Sequence, residues 1–231
     1  LKGSLKMVKN IAIDGPAGAG KSTIARAAAK MLGYIYVDTG SLYRAVALEM
    51  LSRGISADDK ERVISEISKI PHEYFSLRFI DGEQHVFAGE NDVTLKIRTP
   101  EISMASSKVS AIGEVRSFLL SLQKKIAAEN NVIMDGRDIG TVVLPNADLK
   151  IFLTASAEVR AERRFRELAE KGHNVDFEQV LADIKERDYN DSHRDISPLK
   201  MAADAVLADT SELTLEESIE FVVSLINEKI S

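Results

Sequence analysis

The 231-residue chain has no cysteine, which excludes disulfides, thiolate nucleophiles and cysteine-ligated metals and fits a reducing cytoplasm. It has no apolar run near the roughly 18 residues that cross a bilayer, so no membrane partner is expected. Leu1 to Asn10 lacks the apolar stretch of a signal peptide, and Leu1 to Lys6 reads as an expression remnant ahead of Met7. Positive charge is also short. Thirty Lys and Arg stand against 36 Asp and Glu, a formal charge of −6, a poor match for a nucleic-acid polymer. If the chain handles phosphates, it does so with a local basic cluster. The four histidines, His72, His85, His173 and His193, lack metal-ligand spacing. No internal repeat or low-complexity segment is present. Hydrophobic residues make up 45% and charged residues 29%, enough for one sizeable α/β domain with an inserted subdomain.

What is there alternates between two periodicities. Ile11-Ala-Ile13 is a short apolar strand running into Asp14 and a glycine-rich turn. Ser22–Leu32 has helical spacing, stopped by Gly33. A strand is expected at Tyr34–Val37, a helix at Ser41–Arg53, and another capped by Asp58 or Asp59. Between 71 and 98 the pattern changes to strict alternation: Phe75, Leu77 and Phe79, then Val93, Leu95 and Ile97. Asp81-Gly82 between Phe75–Ile80 and His85–Phe87 is a hairpin signal. A small antiparallel sheet is therefore expected there. Thr99-Pro100 opens a helical stretch to about Glu129, with a break near Gly113. Three buried strands follow at Val132–Met134, Leu149–Leu153 and Ala205–Leu207. Helices are expected at Ser156–Lys171, at Asp176–Tyr189 and at Thr214–Lys229. Alternating strand and helix predicts a parallel sheet covered on both faces, with ligands at the carboxyl ends of its strands.

Gly15-Pro16-Ala17-Gly18-Ala19-Gly20-Lys21-Ser22 matches G-x-x-x-x-G-K-[ST] at every fixed position, between a strand and a helix. Glycines let the backbone form a concave nest of N–H groups, and the helix adds its positive dipole end. Lys21 reaches the β- and γ-phosphates of a nucleoside triphosphate, and the Ser22 hydroxyl suits Mg²⁺. No Asn-Lys-x-Asp is present to read guanine. A kinase for a phosphorylated acceptor must hold a second anion beside the γ-phosphate, so cationic side chains must offset the repulsion. Arg44 and Arg137 follow candidate strands. Arg160, Arg163, Arg164 and Arg166 follow another, with Glu158, Glu162 and Glu167 able to pair some of them on a solvated face. Arg187 and Arg194 come later. Asp135 has the place of a carboxylate near the metal and its waters, or of a turn former before Gly136.

GPAGAGKST at 15–23, VDTGSLYR at 37–44, KIRTPEI at 96–102, MDGRDIGTVVLPNAD at 134–148 and IKERDYNDSHRDISPL at 184–199 together resemble bacterial cytidylate kinases over essentially the whole chain from Met7. The resemblance implies a five-stranded parallel core with helices on both faces, an inserted antiparallel subdomain and a short helical lid. Its boundaries here would be a core of about 7–57, 100–154 and 190–231, a monophosphate-binding insert of about 58–99 and a lid of about 155–189. The implied reaction is phosphorylation of CMP and dCMP by ATP with Mg²⁺. A monomer is expected because no long apolar stripe is left without an intrachain partner, and a cytoplasmic one because cysteine is lacking. Ser107, Arg116 and Asp138 match residues that read cytosine. Thr39, Tyr43, Arg44, Arg137, Arg187, Asp191 and Arg194 match those around the pentose and its phosphate. Gly15 to Thr23 and Arg160 match the ATP site. Lys21, Arg137, Arg187 and Arg164 match the catalytic cations, while Ser22 matches a direct Mg²⁺ ligand and Asp135 one acting through water. Thr39 replaces a serine of some relatives and keeps the hydroxyl. Ser22 replaces a glycine and supplies one. A kinase for UMP, AMP or a metabolite alcohol is the nearest rival, and a nucleotide-binding regulatory module the rival of another class. The DGRD block and the insert weigh against the first. Intact Lys21, Ser22 and the arginine set weigh against the second.

Overall fold

The computed structural model describes residues 8–170 and 172–230. The segment before Met7 and the expected helix end at Lys171 lie outside the described residues. Five parallel strands form the central sheet: β1 (Asn10–Asp14), β2 (Ile35–Asp38), β6 (Val132–Gly136), β7 (Leu149–Thr154) and β8 (Val206–Asp209). Their order is β2-β6-β1-β7-β8. Ile11 and Ile13 of β1 face one way, with Ile133 and Ile151, onto α1 (Lys21–Leu32) and α8 (Leu215–Ile230). Ala12, Val37 and Met134 face the other way, onto α5 (Gly113–Glu129). Burial on both faces is why β1, β2, β6 and β7 read as apolar runs without alternation, whereas β8, at the sheet edge, leaves Leu207 exposed.

Local chemistry sets the ends. Gly33 closes α1 in the left-handed region and donates its N–H to the Ala29 carbonyl. Thr99 caps α4 (Pro100–Val109) at the Ile102 N–H, with Pro100 at the first helical position. Thr214 and Glu217 form a reciprocal capping box at the start of α8. Among the described residues no helix is long and apolar enough to cross a membrane.

A second sheet holds β3 (Phe75–Ile80), β4 (Glu83–Ala88) and the short β5 (Asn91–Asp92). Asp81 and Gly82 both take positive φ, the conformation a two-residue hairpin loop requires. This sheet shares one apolar core with α2 (Thr39–Ser52), α3 (Lys60–Ile67), α4 and α5. The third strand differs from expectation. Val93 and Ile97 are buried while Leu95 is 84% exposed, and the Ile97 N–H donates to the Val93 carbonyl. An i,i+4 helical turn, ending in a 3-10 turn at Lys96–Arg98, produces the same apolar spacing as a strand would, except at Leu95.

Two other boundaries move, and the break expected near Gly113 is found. Tyr34 lies in the turn after α1, where its N–H donates to the Ala29 carbonyl, and β2 begins at Ile35. The long helical stretch breaks at 110–112, and Gly113 opens α5. Beyond α6 (Ala157–Glu170), α7 (Phe177–His193) runs a turn past the expected end at Tyr189. There the Ser192 hydroxyl bonds the Asp188 carbonyl, and His193 stacks on Tyr189. A π-helical turn at Ile139–Val143, absent from the sequence reading, follows β6.

Candidate active site

The phosphate loop leaves β1 at the centre of the sheet and enters α1, so it sits over the carboxyl ends of β6, β1 and β7. Gly15 has φ of +151°, and a Cβ there would lie 1.9 Å from the Leu153 carbonyl oxygen. Only glycine fits so close to β7. Gly20 caps α1 with no side-chain partner, which leaves the first N–H groups of the helix turned toward the loop. Lys21 is buried and donates from Nζ to the Pro16 carbonyl at 2.6 Å. Burial, and then Arg137, push its ammonium well below the usual lysine range, against the pull of Asp135, Asp14 and Asp191.

A cleft of about 1200 Å³ opens beside the loop. Its lining holds Ala17 to Thr23 and, among the expected acceptor residues, Thr39, Tyr43, Arg44, Ser107, Arg116, Arg137, Asp138, Arg187, Asp191 and Arg194. Asp135 and Arg164 line it as well. Ser22 donates its hydroxyl to Asp135 Oδ2 at 2.8 Å, although 113 residues separate them. Burial, and then Asp38, raise the Asp135 carboxyl to about 6, opposed by Lys21, Ser22 and Arg137. Hydroxyl and carboxylate oxygens suit Mg²⁺, which keeps waters and phosphate oxygens as its other ligands.

Carboxylates hold Arg44 and Arg137, and hydroxyl or carbonyl oxygens hold Arg187 and Arg194, without exhausting their donors. Asp38 caps α2 through the Ser41 N–H and grips Arg44 Nη2 at 2.5 Å. Arg137 Nε reaches Asp191 Oδ2 at 2.8 Å. Arg187 touches Ser103 Oγ at 3.4 Å, and Arg194 Nε donates to the Ser197 carbonyl. Among the described residues, Arg44 Nε, Arg187 Nε and Arg194 Nη2 are buried without a hydrogen-bond partner. Burial, and then Arg137, lower Arg187 to about 10, with Arg44 and Arg164 acting the same way. Such mutual repulsion among buried cations favours an anion in their midst.

Deeper in the cleft, Arg116 and Asp138 form a buried ion pair. Arg116 also donates to the Ser110 carbonyl and lies 5.3 Å from the Tyr43 ring centroid. Thr39 is buried, with its hydroxyl on the Asp135 carbonyl. Gly136 leaves the room for this, since a Cβ would stand 2.8 Å from Thr39 Oγ1 and 2.6 Å from Ile139.

Three residues expected at the ATP site, Gly15, Pro16 and Arg160, are not in the cleft lining, and of these Arg160 has its guanidinium turned away. It is buried behind the loop, donating to the Ala17 and Ala155 carbonyls and bridging Asp188. Arg163 stands nearer the cleft, bound to the Thr210 carbonyl, while Arg164 pairs with Glu167. Asp38, Gln84, Ser103, Asp188, Leu215 and Ser218 escaped the sequence reading. Asp38 lies inside the VDTGSLYR segment, and Ser103 lies one helical turn before Ser107, so both carried a signal. Gln84 carried none, because its partners Asp38 and Ser41 lie more than forty residues away.

Residues 11–228 match the family model described as cytidylate kinase. The cytidylate kinase of Caldicellulosiruptor bescii is 52% identical over 216 residues, 94% of each chain. That of Carboxydothermus hydrogenoformans is 49% identical, covering 95% of this chain and 97% of its own. A solved structure of an uncharacterised protein from Eubacterium ventriosum has a TM-score of 0.52 at 14% identity, covering 96% of this chain and 99% of that one, a likeness of fold alone.

Proposed function

This chain belongs to the cytidylate kinase family, and on that premise we propose that its cleft transfers the γ-phosphoryl group of ATP to the phosphate of CMP and dCMP. The observation that carries the reading is the convergence on one cleft of the phosphate loop, three guanidinium groups with unpartnered buried nitrogens, and the buried Arg116–Asp138 pair.

An oxygen of the CMP phosphate attacks the γ-phosphorus, a new oxygen–phosphorus bond forms, and the bond to the β-phosphate oxygen breaks to release ADP. The nucleophile belongs to the substrate, so no side chain need supply one. The chain contributes position and charge. The loop N–H groups and Lys21 take the β- and γ-phosphates. Arg44, Arg137 and Arg187 take the acceptor phosphate and draw it against the transferring group, with Arg164 approaching from α6. Asp191 holds Arg137 and faces the pentose beside Arg194. The Ser22 hydroxyl, and Asp135 beside it, would hold Mg²⁺, which would supply neutralisation of the triphosphate charge. Arg116 offers donors to cytosine N3 and O2, Asp138 offers an acceptor to its amino group, and Ser107 closes the edge.

Coupled ADP release measured with CMP, dCMP, UMP, AMP and no acceptor tests this. Turnover with CMP and dCMP at least tenfold above UMP and AMP is expected, with little release in the absence of acceptor. Preference for another acceptor, acceptor-independent hydrolysis or no turnover would each overturn it.

A further inference from the structure

We propose that Asp14 is a positioning residue for base recognition: it caps the π-helical turn Ile139–Val143 from another strand and thereby leaves the Asp138 carboxylate to the base. The inference rests on Asp138 reading cytosine. Asp138 occupies the residue before the turn, where an aspartate ordinarily accepts the first N–H groups with its own side chain. Its backbone is committed to the turn, since its carbonyl accepts the N–H groups of Val142 and Val143. Its side chain makes no capping bond and reaches Arg116. The N–H groups of Ile139 and Gly140 donate to Asp14 Oδ1 and Oδ2, each at 2.7 Å, from 125 and 126 residues away.

Sheet register makes this reach possible. Asp14 is the last residue of β1 and pairs in parallel with Gly136, the last of β6, so its side chain lies beneath the turn that follows. The next residue, Gly15, begins the phosphate loop. One carboxylate is thus bonded to the segment carrying the base reader and is joined covalently to the loop for the donor. Holding it there is costly: burial raises the Asp14 carboxyl to about 6, with Asp138 adding to the rise and Lys21 opposing it. The transfer chemistry makes no use of this carboxylate, and a hydrophobic residue would fill a strand end without that cost. Two charge-assisted bonds to otherwise unpaired buried N–H groups are what it provides.

Asp14→Asn retains the shape but turns an NH₂ group toward one of the two N–H groups, so one capping bond is lost. The kcat/KM ratio of CMP to UMP is measured for the wild type, Asp14→Asn, Asp138→Asn and the double variant. Asp138→Asn should narrow the ratio by about tenfold or more. Asp14→Asn should narrow it by roughly three- to tenfold, chiefly through a higher KM for CMP with the KM for ATP little changed. The double variant should be no narrower than Asp138→Asn alone, because both act through one contact. Equal slowing on CMP and UMP by Asp14→Asn, with Asp138→Asn still narrowing the ratio, overturns the inference alone. An unchanged ratio in Asp138→Asn removes the base reading, and the inference with it. Amide hydrogen exchange on the wild type needs no variant to fold. Ile139 and Gly140 should be protected, and exchange at the rate of exposed amides would refute the cap whatever the base preference.

Discussion

Asp14 and Asp135 are buried carboxylates with the same direction of shift, and the sign has a measurable consequence. A folded-state value raised from 3.8 to about 6 means the native chain holds a proton that the unfolded chain has lost in that window. The stability from each group is therefore full below about pH 4 and disappears as pH rises through about 6, a change of about 3 kcal/mol. Asp14→Asn removes one such group and leaves Asp135 in both proteins, so Asp135 cancels in the comparison. Urea unfolding should show the variant gaining on the wild type by up to about 3 kcal/mol between pH 4 and pH 7. A stability difference that does not change with pH would show that Asp14 is not buried in charged form. At this scale the sequence told which residue types would gather but not their orientation. Arg44, Arg137 and Arg187 follow strand ends or lie on a helix that reaches the cleft, and they line it. Arg160 shares one face of an arginine-rich helix with Arg163 and Arg164, and it is set apart by its bonds to the Ala17 and Ala155 carbonyls and to Asp188, residues that no window around 160 places together.

Elements were legible wherever burial alone decided them. Four strands of the parallel sheet are largely buried on both faces and lie close to their expected places; the edge strand β8 is also near its place but is not the buried strand expected, since Leu207 is 54% exposed. Val93 and Ile97 were misread because a spacing of four satisfies period two as well as a helical turn, and the exposed Leu95 between them imitates the middle residue of a strand. The π-helical turn has no local signature. Its first two N–H groups are satisfied by Asp14, a residue no sequence window around 139 contains. The hairpin also docks through a contact distant in sequence: Gln84 of β4 accepts the Asp38 N–H at 2.8 Å and donates to Ser41 Oγ at 2.7 Å. Asp38 in turn holds Arg44. Gln84→Ala should cost about 1–2 kcal/mol of stability and raise the KM for CMP several-fold, with the KM for ATP unchanged. An equal rise in both KM values would mean the hairpin does not act through Arg44.

Across the whole molecule, acidic composition and a basic cleft are reconciled by placement. The chain carries −6 overall, yet seven arginines, Arg44, Arg116, Arg137, Arg163, Arg164, Arg187 and Arg194, line one cleft. An acceptor phosphate should relieve their mutual repulsion. CMP at about a hundred times its dissociation constant stabilises the native state by about 2.7 kcal/mol, roughly 5–10 °C in Tm for a chain of this size. Cytidine, which lacks the phosphate, should give less than about a third of that rise at equal concentration. Equal shifts would place the binding energy on the base alone and leave the arginines without their role.

In the proposed reaction, the Arg116–Asp138 pair makes this phosphate-loop kinase read cytosine. Cytosine offers an amino donor where uracil offers a carbonyl, and the ionised Asp138 only accepts. Uracil would set two acceptors face to face in a largely dry pocket, at a cost of about 1–3 kcal/mol or more. The most direct measurement is the ratio of kcat/KM for CMP to that for UMP, taken on the wild type and on Asp138→Asn. The amide of the variant donates as well as accepts, so the ratio should fall at least about tenfold, with CMP losing most. An Asp138→Asn enzyme that slows equally on both substrates, its ratio unchanged, would contradict the claim.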